Sequence, residues 1–287
     1  MKVLLTGASG QLGQCVQDVL PKEWQLFAFN SQELDITNLE QVESAFEYIK
    51  PDAVINAAAY TKVDQAESEV GLAFHVNATG VHHLALCSKK HGARLIHIST
   101  DYVFNGTKKA PYTETDPTNP INVYGQSKLA GENLALATHI NTLILRTSWV
   151  FSEYGNNFLK TMLRVGENNS ELKIVGDQIG TPTYAGDIAN TIIHLILNQK
   201  ELRGILNVAG NDICSWASFA KKIFKISDSI HTDYIAPTVI DIPTQAYPTP
   251  AKRPLYSVLD IGIAKKKGIK MRSLEENIQC VLSKLEP

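Results

Sequence analysis

A phenol and an ammonium stand four residues apart in Tyr124-Gly125-Gln126-Ser127-Lys128. On a helix this spacing sends both side chains from one face, about a turn from each other. A free tyrosine titrates near ~10 and is a poor proton shuttle at neutral pH, but a fixed cation beside it favours the phenolate and lowers that value. Lys128 supplies such a cation, and its ammonium can also hold a ribose hydroxyl. The same pair arises by chance on many solvated helix faces, so its meaning depends on what surrounds it.

Two other segments supply that context. Gly7-Ala8-Ser9-Gly10-Gln11-Leu12-Gly13 follows an aliphatic run and opens a helical pattern. There the backbone can turn tightly and present free N–H groups to a pyrophosphate. Its spacing is G-x-x-G-x-x-G, so the strand-to-helix setting favours a dinucleotide over an ordinary glycine turn more than the spelling does. Ser99-Thr100-Asp101-Tyr102 ends another apolar run, at the edge where open parallel sheets keep their ligand crevice. Thr100 can hydrogen-bond a substrate oxygen there, the plain alternative being a turn that caps the strand. Where dinucleotide folds often carry Asp or Glu against the ribose, this chain has Asn30, Ser31 and Gln32. Without that carboxylate NADPH is permitted, with Asn30 and Ser31 as partners for its 2′-phosphate. No Arg makes the preference strong, so NADH stays open.

The elements that must position these residues alternate in the rhythm of βαβ units. Lys2–Thr6, Trp24–Phe29, Ala53–Asn56, Arg94–Ser99 and Thr142–Arg146 read as buried strands, near-continuously apolar because helices cover both faces. Gln11–Leu20, Leu39–Ile49, Val70–His91 and Val123–Ala137 read as the helices between them. A sixth strand, Gly204–Val208, follows the apolar helical stretch Asp187–Asn198. The expected fold is therefore α/β, a Rossmann-type doubly wound parallel sheet with a smaller C-terminal substrate-binding lobe. Residues 1–146 and 187–210 form the dinucleotide domain in this reading, and residues 147–186 and 211–287, rich in late prolines, the lobe. His97, on the fourth strand, reads as a satisfied core residue.

Composition bounds the rest. The chain has 287 residues, 44% hydrophobic and 20% charged, with a formal net charge of -2. That is globular composition with no positive field for a phosphate backbone, so nucleic acid is not an expected partner. The longest apolar runs fall far short of the ~20 residues a membrane span needs, and no export signal is visible at the start. Cys15, Cys87, Cys214 and Cys280 lack C-x-x-C spacing and read as reduced thiols of a cytoplasmic protein.

The glycine turn, Asn56-Ala57-Ala58-Ala59, Ser99-Thr100-Asp101 and Tyr124-x-x-x-Lys128 together resemble the extended short-chain dehydrogenase/reductase family. Tyr60 to Glu67, Ser99 to Phe104, Asn122 to Glu132, Arg146 to Val150, Gly155 to Phe158 and Ala246 to Pro254 narrow the resemblance to the dTDP-4-dehydrorhamnose reductase family. The resemblance implies reduction of the C4 ketone of dTDP-4-dehydro-L-rhamnose to dTDP-L-rhamnose, the last step in making this sugar donor for cell-surface polysaccharide. It implies Thr100, Tyr124 and Lys128 as the catalytic set, with Tyr124 protonating the carbonyl oxygen. It implies Gly7, Gly10, Gln11, Leu12 and Gly13 at the pyrophosphate, Asp35 and Ile36 near adenine, and Ala57, Ala59, Tyr60 and Thr61 along the nicotinamide half, with Ser99 bordering the crevice. For the dTDP-sugar it implicates Thr100, Asp101, Tyr124, Trp149 and Asn157. Arg253 is added as a diphosphate partner because a guanidinium fork matches phosphate oxygens.

Some reductases of this family hold magnesium at a dimer contact through glutamates, one on the first helix, where this chain has Cys15. Thiol is a poor magnesium ligand. No metal ligand is therefore assigned, Mg2+ dependence stays open, and a monomer or a homodimer is expected. Two other functions compete. A non-catalytic NADP-binding regulatory subunit, like that of methionine adenosyltransferase, would leave the catalytic set idle. A sugar-nucleotide epimerase or dehydratase would recycle a tightly held NAD.

Overall fold

The computed structural model describes residues 1–230 and 236–285; residues 231–235 and 286–287 of the expected lobe lie outside the described residues. The chain begins β1 (Lys2–Thr6), α1 (Gln11–Val19), β2 (Gln25–Phe29), α2 (Leu39–Ile49) and β3 (Ala53–Asn56). Next come α3 (Val63–Ala66), α4 (Val70–Phe74), a π-helical turn (His75–Gly80), α5 (Val81–His91) and β4 (Arg94–Thr100). α6 (Val123–Thr138) and β5 (Thr142–Thr147) follow, then β6 (Val150–Phe151), α7 (Phe158–Gly166), β7 (Glu171–Val175), β8 (Ile179–Gly180) and β9 (Thr183–Tyr184). The chain continues through α8 (Ala185–Asn198), β10 (Gly204–Asn207), β11 (Cys214–Ser215), α9 (Trp216–Ile230), β12 (Thr238–Ile242), α10 (Gly262–Lys266) and α11 (Leu274–Leu285).

Six strands form one parallel sheet in the order β10-β5-β4-β3-β1-β2. The order reverses beside β1, whose neighbours are β2 on one side and β3 on the other. Alternation along the strands sorts the core. Val3, Leu5, Ile55 and Leu145 face α1 and α8 through Leu12, Val16, Ile188 and Ile192. Leu4, Val54, Leu95 and Ile144 face α2 and α5 through Val42, Phe46, Val81 and Leu84. Each such side chain taken out of water contributes roughly 1.5–3 kcal/mol, which is what fixes helices on both faces of the sheet.

The single helix expected over Val70–His91 is instead two helices joined by the π turn. A buried amide accounts for the interruption. Asn77 bonds outward, through Oδ1 from the Tyr60 N–H at 2.8 Å and through Nδ2 to the Tyr60 carbonyl and the Ser127 hydroxyl, both at 3.0 Å. Its carbonyl presses on α6 at Gly131, where a Cβ would lie 2.0 Å from it. Widened turns of this kind often mark functional sites, and this one ties the loop after β3 to the helix that carries Tyr124 and Lys128.

The smaller core gathers Phe151, Leu159, Met162, Phe219, Ile223, Ile278 and Val281. Beside it β7 pairs with β12 in parallel and β8 with β11 antiparallel. One stretch of the expected lobe packs elsewhere, since Ala264 and Ile269 join the core of the large sheet with Val208. Asn207 holds the chain there, its amide donating to the carbonyls of Tyr112 at 2.8 Å and Asp260 at 3.2 Å. Among the described residues no helix is long and apolar enough to cross a membrane.

Candidate active site

The C-terminal ends of β1, β3 and β4 open onto a cleft of about 890 Å³ at the point where the strand order reverses. It is lined by Gly7, Gly10, Gln11, Leu12, Ser31, Asp35, Ile36, Ala57, Ala59, Tyr60, Thr61, Ser99, Thr100, Asp101, Tyr124, Lys128 and Trp149, all singled out in the sequence. Gly7 sits at φ 73, and a Cβ there would fall 2.5 Å from the Ala58 backbone nitrogen. A side chain is excluded at that position both by handedness and by space. Gly10 caps α1 with no side-chain hydrogen bond, so the first N–H groups of the helix remain free for an anion.

These features fit a dinucleotide. Ser99 Oγ and Thr147 Oγ1 are buried with no hydrogen-bond partner among the described residues, and both residues line the cleft. Unpaired hydroxyls on the wall of a cleft leave hydrogen-bonding capacity there for a polar ligand. The loop Ala57–Thr61 is held from below by Asn77, as described above. Lys62 and Lys128 are the lysines among the lining residues.

The catalytic candidates converge on the same wall. Tyr124 and Lys128 sit one turn apart on α6, and the Asn122 side chain caps that helix by accepting from the Gly125 N–H at 2.7 Å. Tyr102 meets Tyr124 edge-on, with ring centroids 5.8 Å apart and planes at 77°. Burial pushes the Tyr124 phenol up to about 12, with the Thr100 hydroxyl pulling the other way. The lowering expected from Lys128 is not found: burial and then the Asp101 charge raise the phenol, and the pull downward comes from Thr100. Burial brings the Lys128 ammonium down to about 8, opposed by Glu132, and Nζ donates to the Ile98 carbonyl at 2.6 Å. Burial also drives the Asp101 carboxyl up to about 7, against hydrogen bonds from neighbouring hydroxyls. One of these comes from Thr100 Oγ1, at 3.0 Å.

Trp149 closes the far side of the cleft in an unusual backbone state, φ 48, which a bulky residue adopts only when its surroundings impose it. Its indole stacks on Trp216 with centroids 3.5 Å apart and planes at 7°.

Four sequence candidates do not line the cleft. Gly13 is buried in α1 against the Gly7–Ala8 backbone, a helix–strand packing role. The Asn30 Oδ1 is taken up by its own turn, accepting from the Gln32 and Glu33 N–H groups at 2.8 and 3.2 Å. Asn157 caps α7 through Oδ1 and donates to Gln11 Oε1 at 2.9 Å and to the Ser152 carbonyl at 2.7 Å. It is tied to the cleft lining through Gln11. Arg253 is paired with Asp64, Nη2 to Oδ2 at 2.7 Å and Nη1 to Oδ1 at 3.0 Å, and this fork pins the proline-rich loop to the start of α3.

Metal fits poorly where the family resemblance would put it. Cys15, Asp18 and Glu153 bring ligand atoms within 4.8 Å of one another. Burial, then the nearby Glu153 and Asp18 charges, push the Cys15 thiol up to about 12, so it stays protonated. The Lys284 ammonium already bonds Glu153 Oε1. A protonated thiol beside a carboxylate already paired through Oε1 with an ammonium suits a hard cation poorly.

Sequence reasoning missed Asn77, Trp216 and the Glu132–Arg146 pair. A polar Asn at a core-facing helix position was the available signal for Asn77; stacking and pairing partners leave no such trace.

The family model described as RmlD substrate binding domain matches residues 1–286. A dTDP-4-dehydrorhamnose reductase of Aggregatibacter actinomycetemcomitans is 46% identical over 266 residues, covering 91% of this chain and 90% of the relative. The chain belongs to the dTDP-4-dehydrorhamnose reductase family. A reductase of this family from Bacillus anthracis, solved in complex with NADP, superposes with a TM-score of 0.93 at 41% identity, covering 99% of each chain. A UDP-glucose 4-epimerase of Thermus thermophilus in complex with NAD shares the fold, with a TM-score of 0.84 at 21% identity over 99% of each chain. The extended Rossmann architecture is thus common to reductase and epimerase, and within it this chain falls with the reductases.

Proposed function

We propose that this chain reduces the C4 ketone of dTDP-4-dehydro-L-rhamnose to dTDP-L-rhamnose with NADPH, in the cytoplasm, for cell-surface polysaccharide. The observation that carries the reading is the convergence of Thr100, Tyr124 and Lys128 on one wall of a cleft that begins at the glycine turn. NADP in the Bacillus anthracis relative favours the phosphorylated cofactor, in line with Asn30-Ser31-Gln32 in place of a ribose-binding carboxylate.

The nicotinamide, when bound, supplies the hydride. Tyr124 supplies the proton. A phenol raised to about 12 by burial is fully protonated at neutral pH, the state a general acid needs when a ketone is reduced. Thr100 orients the carbonyl oxygen toward it. Lys128 holds the ribose and offsets the charge left on Tyr124 after transfer. Gly7, Gly10, Gln11 and Leu12 carry the pyrophosphate, Ser31, Asp35 and Ile36 the adenosine end, and Ala57, Ala59, Tyr60, Thr61 and Ser99 the nicotinamide half. Asp101 and Trp149 take the sugar nucleotide, whose remaining contacts come from the smaller lobe.

Tyr124→Phe tests the assignment. Turnover falls ~10²–10⁴-fold, the range for loss of a general acid, while NADPH binding is unchanged. Turnover at the wild-type level would overturn it.

A further inference from the structure

Beneath the cleft, four polar side chains from three strands and a helix form an unbroken buried chain. Thr6 Oγ1 lies 2.8 Å from Asn56 Oδ1, Asn56 Nδ2 lies 3.0 Å from His97 Nδ1, and His97 Nε2 lies 3.4 Å from Lys128 Nζ. None of the four is more than 2% exposed. One bond fixes the direction of the others. The Ala58 backbone N–H reaches Asn56 Oδ1 at 3.0 Å, and since an amide N–H only donates, that oxygen accepts and the Asn56 NH₂ faces the imidazole. His97 Nδ1 must therefore present a lone pair. Burial and the Lys128 charge keep the ring neutral, holding its pKa well below the ordinary value. A neutral imidazole carries one proton, and here it sits on Nε2, aimed at Lys128 Nζ.

This geometry treats the two states of Lys128 differently. An ammonium meets the positive end of the Nε2–H dipole, whereas a free amine accepts a hydrogen bond from it. The Ile98 carbonyl accepts from Nζ in either state. Around the amine, α6 also carries Tyr124 and Glu132, of which Glu132 favours the ammonium. Glu132 is bonded to Arg146 of β5 at 2.6 Å, and Asp101 and Tyr102 lie beyond the end of β4. His97 is the group from β4 whose proton is locked against the lysine.

We propose that His97 is a positioning residue that sets the proton affinity of Lys128, and with it the pH above which the lysine ceases to support Tyr124. The proposal rests on Lys128 acting as the partner of Tyr124.

In His97→Met the basic limb of the kcat/KM profile moves up by about one pH unit, the scale of one lost hydrogen-bond partner. His97→Gln, whose amide can accept from Asn56 and donate to Lys128, restores the limb toward its wild-type position. An unmoved limb in His97→Met, or a Gln variant that shifts as far as Met, overturns the proposal. ¹⁵N NMR of the histidine ring in the wild-type protein gives a second reading that needs no variant to fold. A protonated Nε2 with a bare Nδ1 is expected at neutral pH, and a proton on Nδ1, or a cationic ring, overturns the proposal. That measurement is independent of turnover, so failure of the Tyr124–Lys128 assignment would show separately, as full activity in Tyr124→Phe.

Discussion

Replacing Glu132 by Leu strands Arg146 inside the sheet domain. The two side chains are 1% and 3% exposed, and they meet through contacts of 3.0, 3.3 and 2.6 Å between Nε or Nη2 and the carboxylate. Arg146 Nη1 has no partner among the described residues, so the guanidinium has little else to turn to. An uncompensated buried charge of this kind costs about 3–5 kcal/mol, a large fraction of the ~5–15 kcal/mol that keeps a domain folded. At ~2–4 °C per kcal/mol for a chain of this size, the melting temperature falls by roughly 6–20 °C. Thermal unfolding followed by circular dichroism reads the shift directly. The double variant Glu132→Leu with Arg146→Met removes both charges at similar volume and recovers most of the loss. A single variant that melts within about 2 °C of wild type would refute the reasoning. So would a double variant no better than the single.

Other consequences follow from the same site. Gly7→Ala forces a side chain into a backbone at φ 73 and against the Ala58 nitrogen. It costs about 1–2 kcal/mol from handedness alone and weakens NADPH binding at least ~10-fold, since the clash falls on the pyrophosphate turn, as fluorescence titration of NADPH would show. Asp101, whose carboxyl is raised to about 7, binds its proton more tightly folded than unfolded. Its stabilising contribution is complete below the ordinary carboxyl pKa of ~3.9 and is lost as pH rises through about 7. Asp101→Asn therefore gains stability relative to wild type as pH climbs across that window, measured by melting temperature. Glu132→Gln, by removing the anion that supports the Lys128 ammonium, takes the Lys128 pKa below about 8 and moves the basic limb of activity down.

Much of this site was legible because its determinants are local. Near-continuous apolar runs such as Val3-Leu4-Leu5 require helices on both faces, and glycines at a strand-to-helix turn announce a backbone that must lie close to something. Tyr124 and Lys128 share a face because helical geometry puts them there. What stayed hidden depends on partners distant in sequence. Arg253 is drawn to Asp64 across 189 residues, and Asn157 to Gln11 across 146, so a guanidinium and an amide with the right chemistry for a ligand are engaged elsewhere. The Tyr124 phenol is raised by burial, the depth of which a spacing of four does not show. The π turn at His75–Gly80 lies within a stretch that reads as one helix, and the outward bonds of Asn77 show why the ladder widens there.

The most direct test is to mix the purified protein with dTDP-4-dehydro-L-rhamnose and NADPH, first without added metal and then with magnesium. The fall in nicotinamide absorbance is followed and the sugar product identified. Oxidation of one NADPH per dTDP-L-rhamnose formed, at the same rate in both conditions, is the predicted result. A folded protein that binds NADPH yet oxidises none of it in either condition would contradict the account.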